Sequence, residues 1–293
     1  MRIIKPIDIS DARLTSSNVA EDDYPDWEAS ASYLVGDRRI RGHRIWEALA
    51  AHSDIDPLID PGTTWLDLGA TNRWRMFDDR VSSQTVAAGD ISVTVTPGAL
   101  VNALALINCL GVSASVTVTD ASEGEVYQRT VDLIDAGAED WYAYFFGDYD
   151  YRTDVVLDDL PAYPAAVIAV DVRSDSAAAI GNLALGRLRT LGVTLYGTSV
   201  GITDYSRKEV DSFGNTIIVK RPYSKRAEFD VAVDTSRVSF VQRELAAIRA
   251  QPVVWIGEAS IGSTIIFGFY RDFSLPITGP SICDGAITVE GII

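Results

Sequence analysis

Apolar and polar positions alternate with a period of two over much of the chain. This spacing puts successive side chains on opposite faces of a strand. The alternation is strict in Ile91-Ser92-Val93-Thr94-Val95-Thr96 and in Val112-Ser113-Ala114-Ser115-Val116-Thr117-Val118-Thr119. Apolar or β-branched runs at 166–172, 216–219, 253–256 and 264–270 predict further strands. Clusters of Gly, Pro, Asn and Asp at 88–90, 97–98, 122–124 and 213–215 separate them. Helical spacing is scarce. Residues 237–250 predict one amphipathic helix, with Val238, Val241, Leu245 and Ile248 on one face, N-caps offered by Asp234, Thr235 and Ser236, and a stop at Pro252. A second, short helix is predicted over 44–51. Many short strands between frequent turns imply a mainly all-β protein of the sandwich kind.

Three regions follow from this pattern. Residues 1–78 are rich in aromatics and hold few long strands. Residues 79–190 hold seven or eight strand candidates, enough for one β-sandwich. Residues 191–293 form a C-terminal β domain around the single helix. The apolar alternation near 287–293 predicts Ile287, Val289 and Ile292 packed in a sheet, with Glu290 facing the other way.

Composition narrows the function. Nearly half the residues, 47%, are hydrophobic, so the chain is globular rather than disordered. No apolar run approaches the roughly 20 residues of a membrane helix. The first ten residues lack the apolar stretch of a signal peptide, so a cytoplasmic product, or one exported by another route, is expected. Forty-one acidic against 25 basic residues give a net charge of −16. Such a field repels nucleic acid and anionic membranes. It suits solubility, calcium binding or a basic partner. Two basic islands, 205–208 and 221–226, predict exposed hairpin segments able to serve as subunit contacts.

Cys109, Cys283, His43 and His52 are the whole inventory of those two residue types. That is sparse for zinc sites or histidine relays. No nucleophile elbow, zinc helix, phosphate loop or dinucleotide fingerprint occurs. The expectation is a protein that is not an enzyme and uses no cofactor or metal. Asp140, Asp148, Asp150, Asp154, Asp158 and Asp159 crowd an aromatic stretch at 141–151. They read as a solvated acidic loop, or alternatively as a sugar or calcium loop, without the spacing of an EF-hand.

Trp27, Tyr33, Gly36-Asp37, Ile40, Gly42, Trp46-Glu47-Ala48, Pro57 and Trp65 follow one another in an order that resembles type-3 chitin-binding modules. Trp46 stands where that pattern usually has Tyr, and the spacing around Gly42 differs slightly. In such modules exposed aromatics stack on sugar rings, which makes Trp27, Tyr33, Trp46 and Trp65 the carbohydrate-binding candidates. A module this small also needs large aromatics for its own core. Both readings stand.

The next string, Trp65-Leu66-Asp67-Leu68-Gly69-Ala70-Thr71-Asn72-Arg73-Trp74-Arg75-Met76-Phe77-Asp78, resembles tail-tip (baseplate) proteins of long-tailed bacteriophages. The region ending in Ala179-Ile180-Gly181-Asn182-Leu183-Ala184-Leu185-Gly186 is similar to the galactose-binding-like jelly rolls that follow it there. The ending 285–293 is also similar to the termini of phage tail proteins. On its own chemistry, 64–78 reads as an aromatic joint in which Asp67, Asn72, Arg73 and Trp74 fix the module to the sandwich. Arg73 would stack on an aromatic and pair with Asp67 or Asp78. A sugar pocket is the other reading. The resemblance implies a virion tail component made in the host cytoplasm. It would be homo-oligomeric, bound to other tail proteins, and able to touch host-surface glycans. The rivals are a free lectin-like protein and a tail-borne glycan hydrolase, the latter needing two carboxylates across one cleft.

Overall fold

A computed structural model describes residues 1–135, 150–210 and 212–293. The fold is mainly all-β. In chain order the first strands are β1 (Arg2–Pro6), β2 (Leu14–Ser17), β3 (Ser32–Tyr33), β4 (Arg38–Arg41), β5 (Arg44–Ala48), β6 (His52–Ser53) and β7 (Trp65–Ala70). The middle of the chain supplies β8 (Thr85–Ala88), β9 (Ile91–Val95), β10 (Ala103–Leu110), β11 (Ser113–Asp120), β12 (Gly124–Asp132), β13 (Ile134–Asp135), β14 (Asp150–Tyr151), β15 (Val155–Leu157), β16 (Val167–Arg173) and β17 (Ala177–Thr190). Then come β18 (Val193–Thr194), β19 (Ser199–Asp204), β20 (Arg207–Val210), β21 (Thr216–Val219), β22 (Tyr223–Asp234), helix α1 (Val238–Ala247), β23 (Val253–Ile256), β24 (Ile265–Ser274) and β25 (Ile282–Gly291).

The alternating segments become a sandwich because one face of each strand is apolar. In β9 and β11 the Ile, Val and Ala positions are buried and the Ser and Thr positions are partly or fully exposed, Asp120 at the end of β11 apart. These strands lie in a five-stranded antiparallel sheet, β12-β11-β16-β9-β2. It packs against β10, β15 and β17 through Val93, Val116, Ile168, Leu104, Leu106 and Leu183.

The second sheet does not end with the sandwich. Its order is β15-β10-β17-β1-β23-β24-β25-β22-β18, with β8 on β17 and β19 on β22. Strand β1 lies between β17 and β23, pairing Ile4 with Leu188 on one side and with Val254 on the other. Residues 2–6 and 14–17 thus belong to the two large sheets rather than to the aromatic module. The long sheet curls, so β10 and β24 face each other across Ile107, Ile265 and Phe267. Lys225 on β22 reaches Asp154, just before β15, and ties the two ends of the curl together.

Helix α1 covers a separate core of Phe229, Val231, Trp255, Ile287 and Val289 with Val241 and Leu245, and Ile248 at its C-terminal end adds to it. Asp234 caps the turn before it by accepting from the Ser236 amide at 2.8 Å. Ile287 and Val289 are buried in β25, between β22 and β24. Ile292 lies beyond the strand, half-buried, with its amide on the Phe267 carbonyl.

The helix expected at 44–51 does not form. Gly42 and His43 both have positive φ, 59° and 62°, which makes the two-residue turn of a tight hairpin. Residues 44–48 therefore run back along β4 as β5, pairing Arg38 with Glu47 and Ile40 with Ile45.

Candidate functional site

The module 20–70 is a three-stranded sheet, β4-β5-β7, beside the short pair β3-β6. Asp37 sets its first turn, accepting from the Leu34 amide at 2.9 Å. Tyr33 and Trp65 are each 1% exposed and form the centre of a small core. Their rings meet at 5.1 Å, and His52 lies 4.7 Å from the Trp65 ring, edge to face. The Tyr33 hydroxyl donates to the Glu28 carbonyl and accepts from its amide, both at 2.8 Å. The Trp65 indole donates to the Ile55 carbonyl. Tyr33 and Trp65 thus have no ring face left for a sugar.

Trp27 and Trp46 are half-buried at the edge of that core. The Trp46 indole donates to the Arg41 carbonyl at 3.0 Å. The Arg41 guanidinium lies 4.9 Å over the Trp27 ring and covers one of its faces. Trp27 also borders an open cleft of about 350 Å³ with Glu21, Asp26, Arg41 and His43. Of the four aromatic candidates, Trp27 lines this cleft.

The string 71–78 works as a clamp. Its chain doubles back in a short 3-10 turn, Arg75–Phe77, so consecutive side chains reach different neighbours. The Thr71 hydroxyl donates to Glu21 Oε1 at 2.8 Å. The Asn72 amide takes Asp23 Oδ2, while its side chain exchanges two hydrogen bonds with the backbone of Val86 on β8. Arg73 Nε donates to the Val19 carbonyl at 2.7 Å, and its Nη1 lies 3.8 Å from Glu21. Trp74 is 7% exposed, stacks on His43 at 4.2 Å and 29°, and donates to Glu21 Oε2 at 3.3 Å. The Met76 amide donates to the Thr85 hydroxyl.

Arg73 does not pair with Asp67 or Asp78. Asp67 is taken by Arg44 Nε at 2.7 Å on the neighbouring strand, and Asp78 accepts from the Arg80 amide and the Ser83 hydroxyl. The register of β5 on β7 puts Arg44 close to Asp67, while the turn at 71–74 aims Arg73 at residues 19–21. Of the four expected joint residues, Asn72, Arg73 and Trp74 meet at the clamp and Asp67 lies apart from it.

Glu21 is the centre that sequence reasoning missed. It collects Thr71, Trp74, His43 at 3.0 Å, and Arg73. Its one sequence signal is the acidic run Glu21-Asp22-Asp23 ahead of the module. The opposite ring nitrogen of His43 contacts Asp11 at 2.9 Å. Burial opposes a charge on His43, but its hydrogen bonds to Asp11 and Glu21 and their negative charges outweigh it. The imidazole therefore holds its proton above the ordinary value of 6.5. Burial likewise pushes the Asp78 carboxyl up, against its two hydrogen bonds.

The second motif, 179–186, completes the joint from the sandwich side. A Cβ on Gly181 would sit 2.5 Å from the Val81 carbonyl oxygen, so the strap that follows the clamp crosses β17 at a residue without a side chain. Asn182 is buried and donates to the Asp78 carbonyl at 2.8 Å. Asn108 of β10 holds the Val81 carbonyl in the same way.

In the acidic stretch, Asp140, Asp148 and Trp141 lie outside the described residues. Asp154 is buried and joined to Lys225, the Asn108 amide and the Thr153 hydroxyl. Asp158 pairs with Arg2, and Asp159 with Arg129 and Tyr127. Cys109 is buried, and burial first, then the nearby Asp154 charge, pushes its thiol up to about 12. No known protein family matches the chain, and no curated protein matches it either.

Proposed function

We propose that this chain is a structural component of a bacteriophage tail tip, in which a small aromatic module is carried in a fixed orientation on a β-sandwich scaffold. The observation that carries this reading is the clamp at 71–76. The residues that give the string its phage-like character bond to 19–23 beside the module through Thr71, Asn72, Arg73 and Trp74, and to β8 through Asn72 and Met76. A long sheet continuous from the sandwich into the C-terminal half supplies stiffness suited to load-bearing. The test is mass spectrometry and antibody-labelled electron microscopy of purified particles from a lysate expressing the chain. Labelling at the tail tip supports the reading, and absence from every particle fraction refutes it.

A lectin-like reading draws on one feature, the half-buried Trp27 beside its polar cleft. Sugar C–H faces stack on such rings while flanking carboxylates and guanidinium groups fix the hydroxyls. Calorimetric titration of the full chain with chitin oligosaccharides tests it, with Trp27→Ala as the control.

A further inference from the structure

Strands β20 and β21 form a two-stranded ribbon that leaves the body of the protein where β19 ends and β22 begins. Every residue of both strands is exposed. Pairing of Arg207 with Val219, Lys208 with Ile218, Glu209 with Ile217 and Val210 with Thr216 fixes which side chains share a face. Ile217 and Val219 occupy one face, and Val210 and Ile218 the other. Ile217 is 51% exposed, Ile218 64% and Val210 68%. Two-stranded ribbons are marginal in water even with one covered face. Here both faces carry exposed β-branched side chains, and among the described strands β20 and β21 pair with each other in a sheet of two.

Charge says what covers the ribbon. Residues 207–221, the ribbon and the link into β22, carry Arg207, Lys208, Lys220 and Arg221 against Glu209 and Asp211, a net of +2 in a chain of −16, so the remainder carries −18. The ribbon is thus a basic, aliphatic finger on an acidic body. The module 20–70 has the complementary chemistry: eleven carboxylates against four arginines. Leu34, Val35, Leu58 and Ile59 stand exposed among those carboxylates, Ile59 at 83%. Strand β7 is an edge of the module sheet, with Leu66 and Leu68 exposed on it.

We propose that the β20–β21 ribbon docks on the acidic module of a second copy of this chain. Opposite charge steers the encounter and aliphatic contact holds it. The same finger and the same receiving surface on every copy generate a closed pair or ring. The proposal rests on these surfaces alone and stands whether or not the chain belongs to a tail.

The experiment uses the full chain, mixed from ordinary and heavy-isotope-labelled preparations. Sedimentation across concentration and salt gives the mass, and carbodiimide cross-linking joins Lys to carboxylates in direct contact. The expected result is a species heavier than the monomer that dissociates as salt rises, with mixed-isotope cross-links from Lys208 or Lys220 to carboxylates at 21–67. The exposed pair of substitutions Ile217→Lys and Ile218→Glu should weaken association by roughly 100-fold. Their far-ultraviolet circular dichroism and melting midpoint should stay at the wild-type values. Lys220→Glu with Arg221→Glu should weaken it by about 10-fold at low salt. A wild-type monomer at about 100 μM, well above the Kd range of specific assemblies, would overturn the proposal. So would cross-links confined to single isotopes, cross-links directed outside the module, or ribbon variants that associate as tightly as the wild type.

Discussion

Replacing Trp74 by Ala tests whether the clamp holds the module in place. The indole is 7% exposed, stacks on His43 at 4.2 Å and meets Phe77 edge to face at 5.9 Å. An aromatic side chain of this kind buries about 150–250 Å². At roughly 25 cal/mol per Å² its burial is worth about 4–6 kcal/mol, of which Ala retains a small part. The ring pairs add about 0.5–1.5 kcal/mol. The hydrogen bond to Glu21 is long, 3.3 Å, and Glu21 keeps Thr71 and His43 without it, so its loss adds little. The expected destabilisation is about 4 kcal/mol, in line with other large-to-small changes at buried aromatics. Trp74→Phe keeps a ring on His43 and should lose about 1–2 kcal/mol. Urea unfolding followed by circular dichroism measures both, with limited proteolysis reporting cleavage near 71–80. A loss below about 1 kcal/mol for Trp74→Ala would refute the reasoning, because a buried, stacked indole cannot be removed so cheaply.

Glu21→Ala should cost roughly 2–4 kcal/mol by the same unfolding assay, since it strips the acceptor from the buried Thr71 hydroxyl and from Trp74 and His43 together. Because the folded pKa of His43 lies above 6.5, the folded state binds more protons than the unfolded state in that range. Its contribution is complete below pH 6.5 and is lost as pH rises through the raised value. Hydrogen exchange at 71–77 should therefore speed up with pH more than base catalysis explains, and His43→Gln should abolish the excess. Gly181→Ala pushes a methyl onto the Val81 carbonyl and should lower stability by about 2–4 kcal/mol, with protection lost first at 78–84. Asp154→Ala leaves the Asn108 amide and Lys225 without their carboxylate, and should loosen the ends of the curled sheet by about 2–4 kcal/mol, seen as faster exchange in β15 and β10.

Period-two alternation made β9 and β11 readable in advance, because one buried face imposes a strict pattern on each. The amphipathic stripe did the same for α1. The misread helix at 44–51 shows where such reading stops. A seven- or eight-residue window around Ile45 and Leu49 carries little periodicity, and what decided it was the turn at Gly42 and His43, a backbone geometry set by two residues outside that window. The crowding of Asn72, Arg73 and Trp74 in one polar and aromatic string was legible, because such residues need partners when they are packed together. Their partners were not. Glu21 lies 50 residues before Thr71 and resembles any solvated acid until the fold brings it under the clamp. The passage of β1 between β17 and β23 was equally hidden, since a five-residue strand with two isoleucines at its centre does not say which edge it will join.

That position of β1 has a consequence for how the chain is made. Ile4 pairs with Val254, so the first of these two strands to leave the ribosome waits while about 250 further residues are made. At about 5–20 residues per second the gap is roughly 12–50 s, during which Ile3 and Ile4 have no strand on that side. The five-stranded sheet, whose members all precede residue 174, is free to form earlier. Synthesis should thus yield a sandwich with an open seam that the final third of the chain closes. Cells that slow translation within that final third would prolong the open-seamed state and its exposure to chaperones, proteases and premature self-association.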